Sequence, residues 1–369
     1  MGTQSYGHRV LVVDDSAFMR KAIPMLLANE PGLEVVGTAR DGQDALDKIR
    51  QLQPDAVTLD IEMPVMDGLT ALAKIMAMPD PRPVVIVCST LTTKGSHEAL
   101  KALRLGATDF ITKDPQAIGG SQESFRSDLV GKLRAVLEHR PRRALGVVKT
   151  PLPIPTTKPV TLPKQAPTSF SLGSREFGLV LIGSSTGGPP ILETVIKRLP
   201  QRFSAPVVVA QHMPALFTTS LATRLNEECQ VRVEHADSSR PLERGVVYIV
   251  KGGMHGVIRR QGGYSLEITD RPTDALYKPS VDVLLGSAAT PAGKDALGIV
   301  LTGMGADGAI GAKRLHECGG MILAQAAESC AVYGMPRATF EAGVTSAMLL
   351  PEQIGQALSR MAATGLRAA

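Results

Sequence analysis

Short apolar runs alternate with helix-like stretches from Arg9 onward in this chain. Val10-Leu11-Val12-Val13, Val35-Val36, Ala56-Val57-Thr58-Leu59, Val84 to Cys88 and Asp109-Phe110-Ile111-Thr112 read as strands, with helices expected from Ala17 and from Gln43. Such alternation predicts a parallel sheet covered by helices. The pattern resumes after Phe177. Leu179 to Ile182, Val207 to Ala210, Val247 to Val250, Ile299 to Thr302 and Met321 to Ala324 read as strands, with helices after Pro190, from Leu216 and from Ala309. A Gly-rich, alternating stretch between about Pro241 and Asp270 predicts a β-hairpin insertion. Between the two halves, residues 141–170 hold seven prolines, as in Pro151-Leu152-Pro153-Ile154-Pro155, and read as an extended, semi-rigid linker. The expected organisation is a first α/β domain over 1–139, a Pro-rich linker over 140–175 and a second α/β domain over 176–369. A chain of 369 residues suffices for two domains with separate cores. No internal repeat is visible.

The first half places charged groups at three strand ends: Asp14 and Asp15 after the first run, Asp60 after the third, and Lys113 after the last. In a parallel sheet these carboxyl ends share one edge, where ligands bind. Three acids there suit a hard divalent cation such as Mg²⁺, and the cation with Lys113 makes Asp60 a target for a phosphoryl group. Asp is also an ordinary turn residue at strand ends. Ser89, following the fourth strand, adds a further polar group to the edge. The set Asp14-Asp15, Asp60, Ser89 and Lys113 resembles the receiver domain of bacterial response regulators, from about Arg9 to about Glu138. The resemblance implies a flavodoxin-like, five-stranded parallel sheet and phosphoryl transfer from a histidine kinase to Asp60. It further implies Mg²⁺ held by Asp15, Asp60 and the Glu62 carbonyl beside Asp14, with Ser89 and Lys113 on the phosphoryl oxygens. Asp114 separates Lys113 from Pro115, where many receivers have Lys directly before Pro.

The second half carries Leu179-Val180-Leu181-Ile182-Gly183-Ser184-Ser185-Thr186-Gly187-Gly188-Pro189-Pro190, a strand followed by a tight turn and a Pro-led helix start. Such a turn can seat a phosphate on helix N–H groups or expose a nucleophilic serine, since Gly183-x-Ser185-x-Gly187 fits G-x-S-x-G. The phosphate reading lacks G-x-G-x-x-G and a Walker lysine. A nucleophilic serine needs a base and an orienting acid. His212 follows the strand Val207 to Ala210 and Asp307 follows the strand ending near Thr302, so both reach the same sheet edge as Ser185. His235, His255 and His316 are rival bases, His255 in a Gly-rich loop and His316 mid-helix. The chain order Ser, His, Asp differs from the Ser, acid, His order of α/β-hydrolases. Glycines around Met304 either leave N–H groups for an oxyanion or permit close helix packing.

Charge changes little in this picture. Residues 140, 142, 143, 149, 158, 164 and 175 are Lys or Arg with no acid among them, whereas the whole chain is only +5. The basicity therefore belongs to the linker and does not mark a nucleic-acid-binding domain. Trp is absent and aromatics make up 4%, which argues against a base-stacking surface. Cys88, Cys229, Cys318 and Cys330 lack C-x-x-C spacing, so reduced thiols rather than zinc or disulfides are expected. No apolar run approaches the roughly 18 residues of a membrane span, and a signal peptide is not apparent. A cytoplasmic location is expected.

Receiver, Pro-rich linker, Gly-Ser-Ser-Thr-Gly-Gly-Pro, Gln211-His212-Met213-Pro214, Pro279-Ser280-Val281-Asp282 and Leu301 to Gly308 together resemble the chemotaxis protein-glutamate methylesterases. The resemblance spans nearly the whole chain. It implies a two-component hydrolase that removes glutamyl methyl esters from chemoreceptor cytoplasmic helices and deamidates receptor glutamines. Ser185, His212 and Asp307 would form the triad, with oxyanion N–H groups near Thr186 and Met304 and no cofactor for hydrolysis. It implies as well that the unphosphorylated receiver covers the esterase edge and that phospho-Asp60 relieves this. Ser184 replaces the family's usual alanine, and Val250-Lys251-Gly252-Gly253-Met254-His255 replaces its commoner Ala-Pro-Gly form. Two other readings are a phosphorylation-controlled binding protein and a receiver-controlled transcription factor; the latter predicts a basic helix-turn-helix that the α/β pattern after Phe177 does not offer.

Overall fold

The computed structural model describes residues 5–113, 122–138, 143–145, 170, 172 and 175–365. The chain divides into two compact units, Met1–Thr161 and Leu162–Ala369. Asp114 and nearly all of the Pro-rich segment lie outside the described residues. No helix of the described residues is long and apolar enough to cross a membrane.

Buried aliphatic runs build the sheet of the first unit: β1 (Ser5–Val13), β2 (Leu33–Ala39), β3 (Ala56–Asp60), β4 (Val84–Thr90) and β5 (Asp109–Lys113). They are parallel in the order β2-β1-β3-β4-β5, the expected five-stranded receiver sheet. All five residues of β3 are buried, as a strand covered on both faces requires. A short strand, β6 (Arg143–Leu145), pairs antiparallel with Ser5 to Gly7 of β1, so part of the segment expected as linker belongs to this unit. Helices occupy Met19–Leu27, Gly42–Leu52, Gly68–Met76, Thr93–Leu105 and Gln122–Leu137. Three of them start where a side chain accepts their first N–H groups: Asp41 for Gln43 and Asp44, Asp67 for Thr70, Thr92 for Gly95. The first helix begins at Met19 rather than Ala17. Asp14 Oδ1 accepts the Ser16 N–H at 2.9 Å, forming a turn that delays the helix.

The second unit repeats the logic on a larger sheet. Its strands are β7 (Leu179–Ser184), β8 (Val207–Gln211), β9 (Arg232–Ala236), β11 (Val246–Val250), β14 (Ala296–Val300), β15 (Met321–Gln325) and β16 (Ala347–Leu349). All are parallel, in the order β16-β15-β14-β7-β8-β11-β9. After β7 the chain builds outward through β8, then returns to the other flank of β7 with β14. The crevice beyond the carboxyl ends of β7 and β14 is therefore a topological switch point, where doubly wound sheets bind ligands. The expected hairpin is β12 (His255–Arg260) with β13 (Tyr264–Thr269), joined by β10 (Arg240–Pro241) in a separate antiparallel sheet. The insertion is narrower than expected, because Val246–Val250 lies in the main sheet. β14 stops at Val300 instead of Thr302, since the Thr302 N–H turns to Gln325 Oε1 at 2.8 Å.

The helices after β7 and β8, Gly188–Ile196 and Ala215–Glu228, are tied by an ionic cluster. Lys197 Nζ lies 2.6 Å from Glu193 Oε1 and 2.7 Å from Glu228 Oε2, while Arg224 pairs with both acids. The Lys197 hydrogen bond, with help from Glu193 and Arg224, holds the Glu228 carboxyl down at about 2, against burial that would raise it. A depressed carboxylate adds stability above its unfolded value, and this is lost as pH falls toward the folded value. Glu228→Gln is expected to lower the stability of the second unit at pH 7 by no more than about 1 kcal/mol, because the pair is partly solvated. In thermal melts the gap from the parent should narrow between pH 4.5 and 2; a pH-independent gap would refute the ionic account.

Candidate active site and acidic pocket

β1, β3 and β5 end on one edge of the first sheet and deliver the expected charges together. One carboxylate oxygen from each of Asp14, Asp15 and Asp60 lies within 4.8 Å of the others. Lys113 Nζ sits 2.7 Å from both Asp14 Oδ2 and Asp60 Oδ2. Three acids against one ammonium leave negative charge uncompensated in a largely buried pocket. Burial pushes the Asp60 carboxyl up to about 6; Asp14 and Asp15 push the same way, and Lys113 opposes them. An all-oxygen donor set with surplus negative charge fits a hard cation such as Mg²⁺. The Glu62 carboxylate takes no part in this cluster: its Oε1 pairs with Lys94 Nζ at 2.6 Å. Ser89 lies within β4 rather than after it, because Ser89 and Thr90 still pair with Thr112 and Lys113 of β5. Its hydroxyl is buried and donates to the Gly95 carbonyl at 2.8 Å, so in this state it is committed to the next helix.

On the second sheet, β7 leads into a turn that pins Ser185. Its N–H donates to the Thr302 carbonyl at 3.0 Å, and its carbonyl accepts from Gly188 N at 2.8 Å and Gln211 Nε2 at 3.0 Å. Gly187 takes φ 74°, a left-handed conformation that suits glycine. The helix that follows starts at Gly188, ahead of the expected start after Pro190, with Pro189 and Pro190 in its first turn. Those prolines have no N–H and the Gly188 N–H is already used. Little of the N-terminal donor set is left for a phosphate, which favours the exposed-serine reading of this turn. Ser185 itself is half-buried. The neighbouring Ser184 is wholly buried and donates to Gln211 Oε1, so the departure from alanine gives the Gln211 amide a partner.

His212 follows β8, and its N–H donates to the Ser184 carbonyl at 3.0 Å, which draws the loop toward Ser185. Its Nε2 lies 2.8 Å from Asp307 Oδ2, whereas Nδ1 is buried without a hydrogen-bond partner among the described residues. Of the rival histidines, His235 sits on the edge strand β9 with Nε2 3.1 Å from Thr218 Oγ1, and His316 is exposed in the last turn of the helix Ala309–Glu317. His255 opens β12 instead of lying in a loop. It is wholly buried, accepting the Ser280 N–H at Nδ1 and donating from Nε2 to the Pro272 carbonyl.

Asp307 owes its place to the helix Val281–Ala292, which the alternation of apolar runs does not predict. Asp307 Oδ2 accepts the Val281 N–H at 2.7 Å; Oδ1 accepts the Asp282 N–H and the Ser280 hydroxyl, both at 2.9 Å. Burial alone would raise this carboxyl, but His212 and the helix N–H groups hold it below the ordinary carboxylate range. Asp282 reciprocates, its Oδ1 accepting from Gly308 N at 2.9 Å and Gly311 N at 2.7 Å at the start of the helix Ala309–Glu317. The Pro279-Ser280-Val281-Asp282 string was the available signal for this network. Both readings of the glycines near Met304 receive a partial answer. Gly303 N–H donates to Val332 O and Gly308 N–H to Asp282, so neither is free for an oxyanion. A Cβ on Gly303 would sit 2.3 Å from Met335 Sδ, and one on Gly308 2.8 Å from Val281 Cγ1, so both glycines permit close packing.

A receiver-type acidic pocket on one unit and Ser185, His212 and Asp307 beyond the carboxyl edge of the other unit's sheet fit a hydrolase joined to a response-regulator receiver. Residues 10–118 match the response regulator receiver domain family and residues 180–358 the CheB methylesterase family. The chain is 43% identical over 95% of its length to protein-glutamate methylesterase/protein-glutamine glutaminase 1 of Oleidesulfovibrio alaskensis, 98% of which is covered. It is 42% identical over 96% of its length to the corresponding protein of Geobacillus kaustophilus, again with 98% covered. The solved catalytic domain of Thermotoga maritima CheB methylesterase aligns with a TM-score of 0.49 at 36% identity, covering 50% of this chain and 99% of that one. The chain belongs to the protein-glutamate methylesterase/protein-glutamine glutaminase family.

Two expectations follow from the site geometry. A carboxyl raised in the folded state contributes stability below its unfolded value of 3.8 that is lost as pH rises through about 6. Asp60→Asn is therefore expected to raise the receiver melting temperature at pH 8 in EDTA, with the gain shrinking to nothing near pH 4; an equal gain at every pH would refute this. Ser184→Ala is expected to cost about 1–2 kcal/mol in denaturant titrations by leaving Gln211 Oε1 without its donor.

Proposed function

We propose that this chain is a phosphorylation-activated serine esterase that hydrolyses glutamyl methyl esters on chemoreceptor cytoplasmic helices and deamidates receptor glutamines at the same site. The observation that carries the proposal is the His212 imidazole, bound to Asp307 through Nε2 at 2.8 Å, with Nδ1 buried and unpaired among the described residues and its backbone tied to the Ser184 carbonyl ahead of Ser185. An imidazole anchored at one nitrogen by a carboxylate keeps the other as a base.

In this reading the Ser185 hydroxyl attacks the side-chain acyl carbon while His212 Nδ1 takes its proton. The Asp307 anion fixes the tautomer and stabilises the imidazolium. Negative charge on the tetrahedral oxygen meets backbone N–H groups of Thr186 and Met304, each worth roughly 10²-fold or more in rate. The proton on Nδ1 passes to the leaving oxygen, or to the leaving nitrogen of a glutamine, and methanol or ammonia departs. Water, deprotonated by the same nitrogen, then opens the acyl-enzyme to glutamate and restores Ser185. No cofactor enters these steps.

Control resides in the first unit. Asp60 is the phosphoacceptor, a histidine kinase the donor, and Asp14, Asp15, Asp60 and the Glu62 carbonyl the groups that would hold Mg²⁺. The ion supplies positive charge to the transferring phosphoryl group. Lys113 is poised 2.7 Å from Asp60 to meet its oxygens, and Ser89 reaches them by releasing the Gly95 carbonyl. Coupling of about 1–3 kcal/mol between phosphorylation and hydrolysis would produce a 5- to 150-fold response. A cytoplasmic location goes with these partners.

Methanol release from methyl-esterified chemoreceptor membranes, measured with and without a small phosphodonor and Mg²⁺, tests the reading. Ser185→Ala is expected to lose roughly 10⁴-fold or more in rate, and Asp307→Asn about 10⁴-fold. Asp60→Ala should keep basal release and lose stimulation. Release that survives in Ser185→Ala would overturn the esterase assignment, and stimulation that survives in Asp60→Ala would overturn the control.

A further inference from the structure

Tyr277 is one residue near the site for which neither the family motifs nor the mechanism above finds a use. Its ring stacks on the His212 imidazole, with centroids 4.3 Å apart and planes 15° from parallel. We propose that Tyr277 is a positioning residue for the reaction, a wall that fixes the plane of the His212 ring and stabilises its protonated form. The inference rests on the reading of His212 as the base.

The need for such a wall follows from the contacts of the imidazole. Asp307 holds Nε2 and no group among the described residues holds Nδ1, so the ring can rock about a single hydrogen bond. Rocking swings Nδ1 away from the direction in which it must take a proton, and small misplacements of reacting groups are costly in rate. A parallel ring against one face removes that freedom without occupying Nδ1. The aromatic face also attracts a cation, an interaction that strengthens as the imidazolium forms and so favours the transition state over the ground state.

Tyr277 can serve this purpose because its backbone is anchored on both sides. His255 donates to the Pro272 carbonyl at 3.1 Å and accepts the Ser280 N–H at 3.2 Å, spanning the segment that carries Tyr277. Lys278 adds two ties, its carbonyl accepting from Gly253 N and its Nζ donating to Asp270 O, each at 3.0 Å. Ser280 then bonds to Asp307, so the acid that holds one edge of the imidazole also secures the strap that covers its face. His255 performs its part only as a neutral ring, with one nitrogen donating and the other accepting. Burial lowers its pKa and keeps it so.

The full chain with phosphodonor and Mg²⁺ is assayed for methanol release from methyl-esterified receptor membranes as Tyr277→Phe and Tyr277→Leu. Tyr277→Phe is expected to stay within about twofold of the parent, and Tyr277→Leu to lose roughly 2- to 30-fold in kcat with KM unchanged. Equal losses in both variants would assign the effect to the hydroxyl, and a raised KM at constant kcat to substrate binding; either overturns the proposal. A readout independent of activity is the NMR shift of the His212 ring protons. These should be moved upfield by ring current in the parent and in Tyr277→Phe but not in Tyr277→Leu; no difference among the three would overturn the stack. If methanol release instead survived in Ser185→Ala, the hydrolytic reading would fail while the ring-current comparison still decided the stack.

Discussion

Two helix N-termini trade carboxylates in the second unit, and the geometry of the candidate active site depends on that exchange. A helix begins with N–H groups that have no partner inside it. Those of Val281–Ala292 are met by Asp307, which belongs to the approach to the next helix; those of Ala309–Glu317 are met by Asp282, which belongs to the first turn of Val281–Ala292. Each acid thus caps the other's helix, and the two helices are locked in register. Asp282 is half-buried near a like charge, and burial together with Asp307 pushes its carboxyl up although the N–H groups of Gly311 and Gly308 oppose this. Asp307, which has His212 as well, is held low. The exchange therefore favours the charged form more strongly at the acid that faces the imidazole than at its counterpart.

Close packing makes the exchange possible. Val281 fits against Gly183 at the end of β7, where a Cβ would come 2.1 Å from its Cγ1, and Gly311 lies against the Asp282 backbone at a spacing no side chain would allow. The glycine before Ser184-Ser185 thus serves the acid as well as the serine. The same helix start that binds Asp307 is pressed onto the strand that leads to Ser185. Serine turn, imidazole and carboxylate are consequently set by the distances among β7, β8 and β14 in a rigid sheet.

The two units use one architectural rule for different chemistry. In both, largely buried strands lead to polar residues along the carboxyl edge of a parallel sheet. In the first, three acids converge on one lysine and keep an excess of negative charge, an arrangement suited to a cation and a phosphoryl group. In the second, one acid is neutralised by helix N–H groups and an imidazole, an arrangement suited to moving protons. The difference lies in how each carboxylate is compensated.

Alternation of apolar runs and helical stretches was enough to read the first sheet and the central strands of the second, because a strand buried on both faces must be apolar along its length, whereas the half-exposed edge strand β9 and the three-residue β16 carry no such run and were not read. Residues at strand ends were legible for the same reason: Asp14, Asp15, Asp60, Lys113, Ser185 and His212 stand at strand ends, whereas Asp307 lies beyond the end of β14, at the approach to the helix Ala309–Glu317. Details set by pairing across the chain were not legible. β6 on β1, the last residues of β4 and the early end of β14 depend on partners distant in sequence. Neither the pattern nor the motifs reveal which nitrogen of His212 faces Asp307, that Tyr277 covers the imidazole, or that His255 is a buried clamp, since each depends on distances between segments tens of residues apart. The sequence by itself determined which residues could carry the chemistry and on which edge, because periodicity and burial are local demands. The tertiary structure alone decided orientation, charge and contact, because those follow from how separately folded segments meet.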